Sequence, residues 1–177
     1  MHAGAYRFIE WAVNRLPVRK SVCELGSRTV IWDNHAFAHN GLVRPLFKGA
    51  EKYIGVDIRE GTNVDVMGNA ADWRPDPPEL FDTVVCCETL EHTNEGKEIC
   101  TTAFDVLQPG GIFLITAAGP GRNTHSCVDG GPVLYPGEYY NNVYPEMLEP
   151  WLQSFEFFMI DILTTPTDIY ALAVKRR

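Results

Sequence analysis

The stretch FDTVVCCETLEHT, residues 81–93, decides the fold. Its first seven residues form a nearly continuous apolar run with paired valines, and the run is short for a helix. A half-buried strand alternates apolar and polar residues. A run without alternation suits a strand covered on both faces, as in parallel sheets whose crossover helices lie on either side. Polar residues take over at Glu88, where the chain would leave the sheet.

Outward from this strand the pattern alternates. In residues 94–107, Ile99, Ala103 and Val106 repeat at helical spacing, as do Cys100, Phe104 and Leu107. Asn94 is the expected N-cap and Pro109-Gly110-Gly111 the stop, before a strand at 112–118. Upstream, strands are expected at 20–25, 52–58 and 63–67, with a helix over 35–48 whose start is blurred by Gly41 and Pro45. Phe8, Ile9, Ala12, Val13 and Leu16 give an amphipathic opening helix within residues 1–17, ended by Pro17. Two closing strands, 155–163 and 168–174, are joined by so few residues that they must be antiparallel to each other. Strands alternating with helices imply an α/β fold with a doubly wound, mostly parallel sheet. The length of 177 residues suits a single domain over 1–177.

Between the fifth strand and Pro145 lie residues 119–144, with five glycines, three prolines and the sequence EYYNNVY. A loop this long without periodicity is uncommon in a compact domain and is often functional. It is the expected substrate lid.

Composition narrows the partners. Fifteen basic against twenty-three acidic side chains give a net charge of −8, which argues against nucleic acid, since that affinity rests on basic groups displacing counterions. No apolar run approaches a membrane span, and Arg7, Glu10 and Arg15 interrupt the N-terminal segment, so neither a membrane anchor nor a secretory signal is expected. Cys23, Cys86, Cys87, Cys100 and Cys127 form no CxxC pair, and four sit in apolar or periodic stretches. They read as buried thiols of a reducing, cytoplasmic compartment. Only His125 and Cys127 bring two metal-ligating side chains close in sequence, so no metal is expected.

In a doubly wound sheet, ligands bind at the carboxyl ends of the strands. Three polar groups fall there. Glu24 and Gly26 end the first strand in SVCELGSRTV (21–30), Asp57 ends the second, and Gly68-Asn69-Ala70 follows the third. An acid after the second strand can grip both hydroxyls of a ribose, and a backbone amide with a short polar side chain after the third can read an adenine edge. Dinucleotide loops use several glycines to admit a pyrophosphate. A lone Gly26 suits a nucleoside without phosphates, and S-adenosylmethionine is such a ligand.

Taken together, VCELGSR, YIGVDIREG, MGNAADW, FDTVVCCETLEHT and LQPGGIFLIT resemble the class I S-adenosylmethionine-dependent methyltransferases of the small type-11 kind, over residues 18–118. The resemblance implies a seven-stranded sheet with the last strand antiparallel. It places Glu24, Gly26 and Ser27 beside the methionine moiety, Asp57 and Ile58 at the ribose, Asn69 and Ala70 at the adenine, and Glu88 on the cofactor pocket wall. Two departures stand out: Ser27 and Arg28 occupy the positions of later loop glycines, and Asn69 replaces an aspartate.

Methyl transfer from a sulfonium mainly requires alignment, with a base if the nucleophile is a hydroxyl. His125, in the lid, is the expected base. His92, in LEHT, is a second candidate beside the cofactor, and Asp129, Tyr139 and Tyr140 are candidate substrate contacts. The expected acceptor is a small molecule or a sugar, methylated at oxygen. A nicotinamide-dependent dehydrogenase would want the fuller glycine loop and, in its short-chain form, a Tyr-x-x-x-Lys pair. A non-catalytic cofactor-binding or regulatory module on the same fold is the remaining alternative.

Overall fold

A computed structural model describes residues 3–16, 20–30 and 42–177. Its first element is helix α1 (Ala3–Arg15), followed by strand β1 (Ser21–Leu25). Strands β2 (Lys52–Asp57), β3 (Val66–Met67) and β4 (Phe81–Cys87) precede helix α2 (Gly96–Val106) and strand β5 (Leu107–Ala118). Helix α3 (Pro145–Gln153) and strands β6 (Phe157–Thr164) and β7 (Asp168–Lys175) complete the chain.

The seven strands form one sheet in the order β3-β2-β1-β4-β5-β7-β6. Strands β1 to β5 pair in parallel. β7 inserts antiparallel between β5 and β6, as the resemblance implied. Strand order reverses between β1 and β4, so the crevice for a ligand opens at their carboxyl ends.

Successive residues of β4 divide between two cores, which is why its sequence shows no alternation. Val84 and Cys86 join the core under α2 and α3, with Ile99, Ala103, Leu148 and Leu152. Val85 and Cys87 join the opposite core, where α1 buries Ala5, Ile9 and Ala12. Each fully buried large aliphatic side chain contributes about 1.5–3 kcal/mol, so both faces drive the strand into the centre. Among the described residues no helix is long and apolar enough to cross a membrane.

Several elements differ from expectation. Of the helix expected over 35–48, residues 35–41 lie outside the described residues, and the rest forms only a 3-10 turn, Arg44–Phe47, with Pro45 in its first turn. The third strand shrinks to two residues. Ahead of it the Asp65 carboxylate accepts from the Gly55 N–H at 2.7 Å, a side chain taking the place of a ladder carbonyl. Asn94 is not the N-cap of α2. Glu95 holds that position, and the Thr93 hydroxyl accepts its N–H at 3.0 Å. α2 does end just before Pro109-Gly110-Gly111, but the strand after it starts at Leu107 and not at 112, so the tripeptide bulges within β5, where Phe81 pairs with Leu107 and Thr83 with Ile112. Gly110 makes this possible with φ +79°. The sequence reading places no element over 145–153, where the structure has α3. Pro145 suits its first turn, and Leu148 and Leu152, one turn apart, bury its inner face.

Candidate active site

A cavity of about 900 Å³ opens at the carboxyl ends of β1, β2 and β4. That is a usual size for a small-molecule site. Glu24, Gly26, Ser27, Asp57, Ile58, Asn69, Ala70, Glu88, His92 and His125 all line it. Strand ends far apart in sequence are thus gathered by the parallel topology.

Glu24, next to last in β1, is 4% exposed, and its carboxylate accepts from the Tyr53 hydroxyl at 2.7 Å. Burial pushes its pKa from the usual carboxylate range up to about 8, against the lowering effect of the Tyr53 hydrogen bond. Gly26 has φ +80°, and a Cβ there would sit 2.1 Å from the Thr89 hydroxyl oxygen. The amides of Gly26 and Ser27 both donate to the Val56 carbonyl, at 2.9 and 3.0 Å, pinning the turn to β2. Ser27 is itself buried.

Arg28 stands where a glycine was expected, and the structure gives it work a glycine cannot do. Its guanidinium donates to the Cys127 carbonyl and, at 3.4 Å, to that of Val128, tying the 119–144 loop to the turn after β1. Its backbone amide donates to Asp57 Oδ2 at 3.0 Å, and the Arg59 amide donates to Oδ1 at 3.0 Å. Both Asp57 oxygens are therefore oriented by backbone, with lone pairs left for a ligand.

Asn69 folds its carbonyl back onto the Ala71 N–H at 3.0 Å and donates its amide to Glu95 Oε2 at 3.2 Å. An aspartate here would set carboxylate against carboxylate, so the change from the expected pattern matches Glu95.

Glu88, just past β4, adopts φ +52°, which is uncommon for a residue with a side chain. Its Oε2 lies 3.5 Å from Arg122, which also pairs with the buried Asp168, while its Oε1 is buried without a hydrogen-bond partner. Beside it, Glu91, His92 and His125 bring one ligand atom each to within 4.8 Å of one another. Glu91 is fully buried, with Oε1 accepting from the Ala118 N–H at 3.1 Å and Oε2 without a partner. Burial, reinforced by the charge of Glu88, raises its pKa. The His92 and His125 rings meet edge to face at 4.9 Å, and Tyr140 packs against both, at 5.4 and 5.0 Å. Burial lowers the pKa of His92 to about 4 and also lowers that of His125.

The remaining candidates lie elsewhere. Asp129 spends its carboxylate inside the loop, accepting from the Gly131 N–H at 2.8 Å and the Tyr135 hydroxyl at 2.9 Å. Neither it nor the exposed Tyr139 lines the cavity. Tyr140 stands behind the histidines, its hydroxyl 3.2 Å from the Asn123 carbonyl. Cys127 turns its thiol to Glu138 at 3.0 Å, so it shares no ligand set with His125. Sequence reasoning did not assign Glu91, Arg122 or Thr89 to the site. The one available signal was the spacing of Glu88, Glu91 and His92 within a single short turn.

A sequence family described as a methyltransferase domain matches residues 2–157 of this chain. A Mycolicibacterium smegmatis protein described as a probable S-adenosylmethionine-dependent methyltransferase is 33% identical over 90 residues, covering 42% of this chain and 35% of that protein. The chain thus spans about a third of the length of this curated relative. Among solved structures, the Burkholderia thailandensis 1,6-didemethyltoxoflavin N1-methyltransferase, with 1,6-didemethyltoxoflavin and S-adenosylhomocysteine bound, is similar with TM-score 0.68 and 15% identity, over 99% of this chain and 80% of that one. An S-adenosylmethionine-dependent methyltransferase from Clostridium acetobutylicum gives TM-score 0.67 and 13% identity, over 100% and 93%. Sheet order, the crevice at the strand ends and the match over most of the sequence converge: the chain belongs to the methyltransferase-domain family.

Proposed function

We propose that this protein transfers a methyl group from S-adenosylmethionine to an oxygen of a small-molecule or sugar acceptor. Asp57 grips the ribose hydroxyls, Glu24 and the Gly26-Ser27 turn hold the methionine moiety, and Asn69 and Ala70 border the adenine. The observation that carries the reading is the convergence of these groups with Glu88, His92 and His125 on one cavity. A non-catalytic module with a filled pocket would lack that space. The solved relative holding a small acceptor beside S-adenosylhomocysteine supports an acceptor of the same size class.

The 119–144 loop, latched by Arg28, covers the site as a lid. The His125 Nδ1 lies 3.2 Å from the Asn123 carbonyl, and with the proton on Nδ1 the lone pair of Nε2 is free to accept the acceptor's hydroxyl proton. As the acceptor oxygen bonds to the methyl carbon, the carbon–sulfur bond breaks and its electron pair stays on sulfur. A net charge of −8 disfavours nucleic acid as the acceptor. The buried thiols suit the cytoplasm.

The test is calorimetric titration with S-adenosylhomocysteine, followed by incubation with methyl-labelled S-adenosylmethionine and a panel of small hydroxylated acceptors. Saturable binding and label in an ether or ester product support the reading. Absence of binding overturns the cofactor assignment, and label in N-methylated products alone overturns oxygen as the site.

A further inference from the structure

We infer that Glu91, His92 and His125 form a binding site for one divalent transition-metal ion at the acceptor end of the cavity. This rests on the methyl-transfer reading for its role but not for its existence. Three observations carry it. The three side chains, drawn from two separate loops, place their ligand atoms within 4.8 Å of one another. Ligand atoms about 2.1 Å from a common ion stand about 3 to 4 Å apart, so small side-chain rotations close the set. Two polar atoms of these side chains are buried and lack hydrogen-bond partners, Glu91 Oε2 and His92 Nδ1. Buried polar atoms are rarely left so, and Glu91 has no exposure through which water could serve it.

The surroundings are built as metal sites are built. The Ala118 amide fixes the Glu91 carboxylate through Oε1, and the Asn123 carbonyl lies against His125 Nδ1, leaving Nε2 for an ion. His92 and His125 face the cavity while Glu91 lies beneath them, so an ion would keep positions open towards a ligand. Glu88, whose Oε1 is also buried without a partner, stands next to the set as a further carboxylate. Two imidazoles with a carboxylate favour Mn²⁺, Co²⁺ or Zn²⁺ over the all-oxygen cations Mg²⁺ and Ca²⁺.

An ion here changes how the acceptor is activated. Coordinating the acceptor hydroxyl lowers its pKa, and its proton leaves to water. The oxygen lone pair then bonds to the methyl carbon, the carbon–sulfur bond breaks, and sulfur keeps the pair. His125 then serves as a ligand and not as the proton acceptor.

The experiment uses the full chain, stripped with chelator, desalted and titrated with MnCl₂ while free Mn²⁺ is read by electron paramagnetic resonance. A parallel titration with S-adenosylhomocysteine reports the cofactor site. The expected result is one saturable Mn²⁺ per chain, weakened at least about tenfold in both Glu91→Gln and His125→Ala, with S-adenosylhomocysteine binding retained in His125→Ala. Because Glu91 is buried and its variant can misfold, the half-buried His125 carries the decision. No saturable Mn²⁺, or Mn²⁺ binding indifferent to His125→Ala, overturns the metal site. If that happens while S-adenosylhomocysteine binds, the methyltransferase reading stands. Mn²⁺ binding with no S-adenosylhomocysteine binding upholds the site and removes the role given to it.

Discussion

Gly26 answers to two constraints, its φ of +80° and the Thr89 side chain pressed against its α-carbon. A side chain in left-handed backbone costs about 1–2 kcal/mol before any clash is counted. Gly26→Ala should therefore lower affinity for S-adenosylhomocysteine at least about tenfold, and adding Thr89→Gly should recover part of the loss. Calorimetry on the double-mutant cycle checks this; additive losses would mean that Thr89 is not the obstacle. Asp57 presents two oriented oxygens, and Asp57→Ala should cost about 1.5–3 kcal/mol in cofactor binding without unfolding the chain. Glu24 predicts a pH dependence. With its pKa raised to about 8, it is protonated at pH 6–7 in the unliganded protein and must lose that proton to face a cationic ligand. Affinity for S-adenosylmethionine should rise with pH from about 6 to 8 and then level off, by about tenfold per unit at most. For the unliganded protein the sign is opposite. A carboxyl group raised from 4.5 to about 8 on folding favours the folded state below 4.5, and that stability is lost as pH climbs through 8. Glu24→Gln should flatten both profiles.

At the scale of elements, the 119–144 loop contains no helix or strand, yet it is held at defined points. Arg28 grips its middle, the Glu138 carboxylate collects the Ser126 hydroxyl and the Cys127 amide, and the Asn141 and Val143 amides dock on the Glu91 and Ala118 carbonyls. Arg28→Ala removes the one of these contacts that reaches from the turn after β1. Amides near 126–131 should then exchange faster with deuterium, and acceptor KM should rise more than cofactor Kd. Unchanged exchange there would show that the loop holds itself in place. The same reasoning separates Asn69 from its neighbour: Asn69→Asp should weaken cofactor binding through Glu95, and Glu95→Gln should restore it.

Across the whole molecule, one sheet with cores on both faces couples the strand ends to overall stability. Saturating S-adenosylhomocysteine at about a hundred times its Kd adds about 2.7 kcal/mol, which should raise Tm by about 5 to 10 °C for a chain of this size. A differential scanning measurement checks this, and Asp57→Ala should abolish most of the shift. What the sequence determined by itself was periodic or local: the buried strand at 81–87, the alternation of strands and helices, and the strand-end positions of Glu24, Gly26 and Asp57. Each depends on a few neighbouring residues, so each leaves a local mark. The proline-bearing helix α3 left a weak one, because Pro145 and Pro150 read as breakers until Leu148 and Leu152 find a core to bury them. Other features became visible only once the sheet had formed. Arg28 meets Cys127 across 99 positions, Thr89 crowds Gly26 across 63, and His125 joins Glu91 and His92 from a loop after the next strand. These contacts exist because parallel strands deliver all their carboxyl ends to one edge, and a linear pattern holds no record of which loops will meet there.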